Sequence, residues 1–144
     1  MQDSAESSCG DIGGWLGRSA EREFVITNGL ISDFCQLSGD KSPIHVDDEC
    51  ARRRGFSARV MHGALQAALV SCVIGMDLPG HRGVLQELSL QFRKPAYAGD
   101  RLTVRVTVKE VHESVRVAAL SLRITNQNGE VVATGKAQSG LVQD

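Results

Sequence analysis

The sequence lacks the features that mark several specialised classes of protein. It has 16 Lys and Arg against 17 Asp and Glu, so its charge gives no reason to expect binding to nucleic acid or to an anionic membrane. Its longest apolar run, residues 64–76, contains Gln66 and Ser71 and is shorter than the roughly 18 residues of a membrane span. A chain of 144 residues normally forms one domain with its own core.

The four cysteines match no disulfide or metal-site pattern. Cys9, Cys35, Cys50 and Cys72 contain no Cys-x-x-Cys pair, and with the four histidines they give none of the usual zinc-ligand spacings. The N-terminus lacks the basic and apolar regions of a secretory signal. We therefore expect free thiols in the cytoplasm and no metal site, with Cys72 as a small core residue.

Other fingerprints are also missing: the sequence has no P-loop, dinucleotide motif, Ser-centred nucleophile elbow or internal repeat. Residues 1–20 are rich in Ser, Gly and Asp and predict a flexible tail ahead of a single domain at 21–144. Residues 23–27 have strand composition. An apolar set at helical spacing then predicts a helix capped by Thr27 or Asn28 and ended by Gly39.

The central part of the chain predicts a buried helix. A short polar helix at 47–54 precedes it, and residues 62–76 are apolar nearly all round, which is typical of a helix covered on most sides. The remainder predicts a meander of strands, with a hairpin turn at Asn128-Gly129, over residues 88–92, 101–108, 118–124 and 131–137. These elements predict an α+β domain whose antiparallel sheet wraps one long central helix, the hot-dog arrangement.

The candidate acid/base residues lie in the segment Gly39-Asp40-Lys41-Ser42-Pro43-Ile44-His45. It places the carboxylate of Asp40 and the imidazole of His45 near the start of the central helix, as acid/base catalysis beside a carbonyl requires. Pro43 stiffens the loop. Asp40 and His45 could also be purely structural turn residues, because Asp commonly stabilises turns.

His62-Gly63 opens the central helix. The first N–H groups of a helix lack internal acceptors, and Gly63 has no side chain to keep a ligand carbonyl away from its N–H. This predicts an oxyanion site, although a glycine could equally allow tight packing there. His62 is expected to be structural. Ser71 lies about two turns further along the helix and can share the face of His62 and Gly63. Alternatively, its hydroxyl bonds to the helix backbone and has only a structural role.

Together these residues resemble the MaoC-like, (R)-specific enoyl-CoA hydratases, which have the hot-dog fold. That family has an aromatic residue, then Gly-Asp-x-Asn-Pro-x-His, and later His-Gly at the start of the central helix. The likeness covers residues 22–141, and Ser42 stands where the family has Asn. The matching residues here are Phe34, Gly39, Asp40, Pro43, His45, His62 and Gly63.

The resemblance implies reversible hydration of a 2-enoyl thioester carried by coenzyme A or an acyl carrier protein. Asp40 and His45 would be the catalytic pair and Gly63 the donor to the thioester carbonyl, with Ser42, His62 and Ser71 close to the substrate. It also implies a homodimer or larger homo-oligomer without metal or redox cofactor. Basic residues that could meet the carrier's phosphates or an acidic carrier protein, or form a solvated face, are Arg52, Arg53, Arg54, Arg59, Arg82, Arg93 and Lys94.

Two other functions stay open. Many hot-dog thioesterases carry a carboxylate on the central helix or an early strand, whereas residues 62–76 contain none. The Gly-His-Phe-Pro motif of another group of carrier-protein dehydratases is absent as well. A thioester-binding subunit without catalysis is favoured by Ser42, and the joint presence of Asp40, His45 and Gly63 argues against it.

Overall fold

A computed structural model describes residues 12–142 of the chain. The five strands form one sheet in the order β1-β3-β4-β5-β2, and every neighbouring pair is antiparallel. The elements in chain order are β1 (Ser19–Val25), α1 (Asn28–Ser38), α2 (Pro43–Val46), α3 (Asp48–Arg53), α4 (Gly63–Met76), β2 (Gly83–Phe92), β3 (Arg101–His112), β4 (Val117–Thr125) and β5 (Val131–Leu141).

The core lies between α4 and the concave face of the sheet. Val70 and Val73 of α4 are fully buried, and β3 buries every second residue along its first eight positions. This alternation places one face of each strand against the helix and the other towards solvent. The predicted α+β hot-dog architecture is confirmed.

The predicted meander is wrong in one step. Strands β3, β4 and β5 follow one another as expected, but β2 lies beyond β5 at the far edge and does not pair with β3. The connection between β2 and β3 crosses the start of α4, where the N–H of Met61 donates to the carbonyl of Ala96 at 2.8 Å. Alternating patterns identify strands, but the path of each connection decides which strands are neighbours.

Regular structure within the described residues begins earlier than predicted. Residues 1–11 of the predicted tail, including Cys9, lie outside the described residues. From Ile12, which is buried, the chain forms a 3-10 turn at Gly13–Trp15 and enters β1 at Ser19. Of the strand expected at 23–27, residues 23–25 form the end of a longer strand paired with β3, and residues 26–27 lie beyond it.

The helix signals hold, with two corrections. The Thr27 hydroxyl caps α1 by accepting from the N–H of Leu30 at 3.0 Å, and Gly39 ends the helix at φ 77°. Cys72 is half-buried at the guanidinium of Arg22 and is not a core residue. The second correction concerns α4, which is covered on most sides as predicted but exposes one face of small residues in the single chain: Ala64, Ala68 and Ser71. Within residues 12–142, no helix has the length and apolarity to cross a membrane.

Candidate active site

Asp40 and His45 lie side by side at the mouth of a cleft. Asp40 follows the left-handed Gly39, and its Oδ1 accepts a hydrogen bond of 3.1 Å from the N–H of Ser42. Pro43 then starts the single turn α2, which the sequence had predicted only as a stiff loop. This turn brings His45 Nε2 to 3.8 Å from Asp40 Oδ2.

A backbone carbonyl orients the His45 ring. Nδ1 lies 2.6 Å from the carbonyl oxygen of Val60, and because a carbonyl only accepts, Nδ1 must carry the proton. In the neutral ring, Nε2 is then the acceptor, on the side of the Asp40 carboxylate. The 3.8 Å between Nε2 and Oδ2 is too long for a direct hydrogen bond but allows one water to contact both atoms.

His62 contacts both members of this pair. Its Nε2 donates to the backbone carbonyl of Asp40 at 3.0 Å, and its ring stacks on the His45 ring with 3.8 Å between centroids. Phe34 contacts the other side of His62 edge-on, at 4.9 Å between centroids. His62 is almost completely buried, so its position matches the structural role expected from the sequence.

Gly63 begins α4 next to the pair. Within residues 12–142 no acceptor is found for its N–H, as expected at a helix N-terminus. The Phe92 ring lies directly over Gly63, and a Cβ at residue 63 would come to 2.8 Å from that ring. Both reasons for a glycine therefore apply: an accessible N–H and close packing.

His45 and Gly63 line one cleft of about 330 Å³, and Asp40 lies beside it through its contact with His45. Its other walls are mostly apolar, and the sequence reasoning had singled out neither Gln66 nor Phe92 as a wall of the site. Phe92 had been recognised only as a strand residue, and Gln66 only as an interruption of an apolar run. The lining consists of Ile44, His45, Phe56, Val60, Met61, Gly63, Gln66, Phe92, Arg93, Lys94 and Pro95.

The two predicted serines lie in different surroundings. Ser42 is half-buried in the turn beside Asp40. Ser71 is exposed on the outer face of α4 and does not line the cleft, so the single chain does not bring it to the catalytic pair. Its role in substrate binding stays a prediction.

Among the seven predicted basic residues, Arg93 and Lys94 line the cleft. Arg59 instead fixes the segment before Val60: its backbone N–H donates to Asp48 Oδ1 at 2.9 Å, and its guanidinium donates to Asn28 at 2.6 Å. The hydrogen bond from the Arg59 backbone, assisted by the Arg59 charge, holds the pKa of Asp48 below its ordinary value against the opposing effect of burial. This ion pair therefore anchors the segment that carries the Val60 carbonyl, which accepts the hydrogen bond from His45 Nδ1.

Asp40, His45 and His62 each offer a possible metal-ligand atom, and these atoms lie within 4.8 Å of one another. However, His45 Nδ1 and His62 Nε2 both donate to backbone carbonyls. His45 Nε2 and the exposed carboxylate of Asp40 keep free lone pairs beside the cleft, whereas the unpaired Nδ1 of His62 is buried. This donor set suits proton transfer better than a closed metal centre, and the absence of a metal stays a prediction.

Comparison with known proteins agrees with this geometry. Residues 16–128 match the family described as MaoC like domain. The chain belongs to the MaoC-like family. Among curated MaoC-like relatives, the (R)-specific enoyl-CoA hydratase of Aeromonas caviae is 36% identical over 107 residues, which cover 74% of this chain and 80% of the relative.

A second relative is the mitochondrial 3-hydroxyacyl-[acyl-carrier-protein] dehydratase of Arabidopsis thaliana, 34% identical over 120 residues that cover 81% of this chain and 71% of the relative. The solved structure of an (R)-hydratase of A. caviae, described as involved in PHA biosynthesis, superimposes with a TM-score of 0.84 at 32% identity. That match covers 88% of this chain and 96% of the other. The MaoC-like assignment thus extends from sequence to tertiary structure.

Proposed function

We propose that this MaoC-like protein is an (R)-specific hydro-lyase that interconverts 2-enoyl and 3-hydroxyacyl thioesters. The observation that supports this most is the cleft lined by His45 and Gly63, with Asp40 Oδ2 at 3.8 Å from His45 Nε2. A carboxylate, an imidazole acceptor and a free helix N-terminal donor are the groups that addition of water next to a thioester carbonyl needs. The relatives named for hydratase and dehydratase activities support the same reaction.

In the proposed mechanism, Asp40 Oδ2 and His45 Nε2 hold one water between them. The water oxygen bonds to C3 as one of these groups takes its proton, and the C2–C3 π pair moves towards the thioester carbonyl. The N–H of Gly63 stabilises the enolate that forms. A proton from the same cluster then reaches C2, so H and OH are added to one face. The thioester itself acidifies C2, and the reaction needs no metal or redox cofactor.

The acyl carrier is proposed to meet Arg93 and Lys94 at the cleft. Two cations at this position suit the phosphates of coenzyme A or an acidic carrier protein. Lys94 Nζ also pairs with Glu130 at 3.0 Å, which keeps its side chain extended along the surface. One relative is named for a coenzyme A thioester and another for an acyl-carrier-protein thioester.

The replacement of the family's Asn by Ser42 does not remove the turn on which Asp40 sits. It is the backbone N–H of Ser42, not a side chain, that donates to Asp40 Oδ1. Any residue other than proline supplies this donor. The local geometry therefore supports an active enzyme rather than a thioester-binding subunit, and α4 offers no carboxylate for a thioesterase.

We further propose a homodimer that pairs one free edge of the sheet. Strand β2 has ten residues, pairs within residues 12–142 only with β5, and exposes about half of Val84 and a third of Leu85. Long apolar edges of this kind usually find a partner strand. Light scattering after size exclusion should give about twice the chain mass of 15.5 kDa.

The decisive experiment measures loss of the enoyl-thioester absorbance with crotonyl-CoA. Wild type should turn over, whereas Asp40→Asn and His45→Gln should each lose on the order of 100-fold to 10,000-fold in kcat. Glu23→Gln, an exposed carboxylate on β1, is the matched control and should behave as wild type. The product should be oxidised by an (R)-specific but not an (S)-specific 3-hydroxyacyl-CoA dehydrogenase.

Absence of turnover by folded wild type, with crotonyl groups on both coenzyme A and an acyl carrier protein, would contradict the proposal. Turnover that survives both substitutions would retain the reaction but overturn the assigned pair.

A further inference from the structure

Gln66 is a buried polar side chain that the proposed mechanism does not use. It is 2% exposed, lines the cleft with His45 and Gly63, and its Oε1 has no hydrogen-bond partner within residues 12–142. Buried amide oxygens are almost always hydrogen-bonded in folded proteins. An unpaired acceptor on a buried side chain that lines the cleft therefore points to a donor that arrives with the ligand.

The position of Gln66 on α4 indicates which part of the ligand it meets. It follows Gly63 by three residues, so both lie on one face of the helix, with Gln66 about one turn further from the N-terminus. A thioester whose carbonyl accepts from the N–H of Gly63 has two ends. With the carrier end at Arg93 and Lys94, as proposed above, the acyl end would extend along α4 to Gln66.

Packing alone gives no reason for a glutamine here. The neighbouring buried residues of α4, Leu65, Leu69 and Val70, are all apolar, and leucine or methionine would fill a similar volume without an unpaired oxygen. The backbone N–H of Gln66 already bonds to the carbonyl of His62, so the side chain has no part in starting the helix. The amide group itself is the feature to explain.

We propose that Gln66 determines acyl specificity, with Oε1 accepting a hydrogen bond from a hydroxyl group on the acyl chain beyond C3. This inference rests on the proposed hydratase function and names the substrate class: 2-enoyl thioesters that carry a hydroxyl on C4, C5 or C6. A plain alkyl chain of the same length would leave Oε1 unpaired. A site that hydrogen-bonds a substrate hydroxyl discriminates strongly against the analogue without it.

The test compares 2-hexenoyl-CoA with its 4-, 5- and 6-hydroxy derivatives in wild type, Gln66→Leu and Gln66→Met. For wild type, kcat/KM for at least one hydroxylated thioester should exceed that for 2-hexenoyl-CoA by about tenfold or more. In both variants this ratio should fall to about one or reverse, mainly through KM. Gln36→Leu, an exposed glutamine on α1, is the matched control and should keep the wild-type ratio.

The saturated hexanoyl and hydroxyhexanoyl thioesters give a parallel comparison of Kd by calorimetry, which does not depend on turnover. Preferential binding of the hydroxylated thioester that both variants lose would support Gln66 even if wild type catalyses no hydration. Equal ratios in wild type and variants, by kinetics and by binding, would overturn the proposal. So would an equal fall in kcat on every thioester, because it would assign Gln66 to the chemical step.

Discussion

Two hydrogen bonds of opposite direction join the segment of His45 to Val60. The Nδ1–H of His45 donates to the Val60 carbonyl at 2.6 Å, and the N–H of Val60 donates to the carbonyl of Ile44 at 2.8 Å. Val60 therefore fixes both the backbone of the turn and the ring of His45. As a result, Nε2 can face only the Asp40 carboxylate and the cleft.

Substitution of His45 should separate this orienting hydrogen bond from catalysis. In His45→Asn, the amide N–H can replace Nδ1–H, so the free energy of unfolding should change by less than about 1 kcal/mol. His45→Ala leaves the Val60 carbonyl without its donor and should lose about 1–3 kcal/mol. Both variants should lose at least about 100-fold in kcat, because neither retains Nε2.

Chemical denaturation and the crotonyl-CoA assay on the same preparations provide the two readouts. Equal stability of the Asn and Ala variants would show that the Val60 hydrogen bond does not contribute to folding.

Gly63→Ala should impair activity more than folding. The new Cβ would lie 2.8 Å from the Phe92 ring, but that ring is half-exposed and can rotate away. We expect the free energy of unfolding to change by less than about 1 kcal/mol, whereas kcat/KM should fall by about tenfold to 100-fold as Cβ and ring crowd the N–H.

The double variant Gly63→Ala/Phe92→Ala tests the cause. It should recover part of the activity that Gly63→Ala loses, because the Phe92 ring no longer crowds the N–H of residue 63. A double variant no better than the product of the two single effects would exclude crowding by Phe92.

The Asp48–Arg59 pair should make stability sensitive to acid. The pKa of Asp48 is lowered in the folded protein, so the pair contributes its full stabilisation above the unfolded pKa of about 4. That contribution is lost as the pH falls through the still lower folded pKa. Wild type should therefore be more stable than Asp48→Asn at pH 7, and the difference should shrink in acid.

Urea denaturation of both proteins between neutral and acid pH measures this difference directly. Asp33→Asn, an exposed aspartate of α1, serves as control and should follow wild type at each pH. A difference that is constant with pH would mean that the charge of Asp48 is not responsible.

Two glycine-to-alanine substitutions should have opposite effects. A Cβ at Gly135 would clash with the backbone carbonyl of Ser89 on the paired strand, which cannot move without separating β2 from β5. We expect Gly135→Ala to lose about 1–3 kcal/mol or more of stability. Gly75 in α4 has open space around it, and Gly75→Ala should gain about 0.5–1 kcal/mol. Thermal denaturation compares the two, and a stable Gly135→Ala would show that β2 can shift.

Much of the fold could be predicted because its signals are local. The cap at Thr27, the end of α1 at Gly39 and the apolar run of α4 depend on residues three or four positions apart, and the strands depend on alternation. The position of β2 could not be predicted, since it depends on a connection that crosses the start of α4. The exposed face carrying Ser71 was missed because an all-apolar helix pattern does not distinguish its sides.

The sequence by itself determined the candidate chemistry: Asp40 and His45 are held close by their short spacing and by the turn residues Gly39 and Pro43, and Gly63 opens the apolar helix. Only the tertiary structure decided how these groups are oriented and what surrounds them. The Val60 carbonyl selects the His45 tautomer, the Phe92 ring covers Gly63, and Gln66 in the cleft wall has an unpaired oxygen. Val60 and Phe92 come from segments whose separation from the turn carries no periodic signal, and only the packing of β2 and α4 against the turn brings them together.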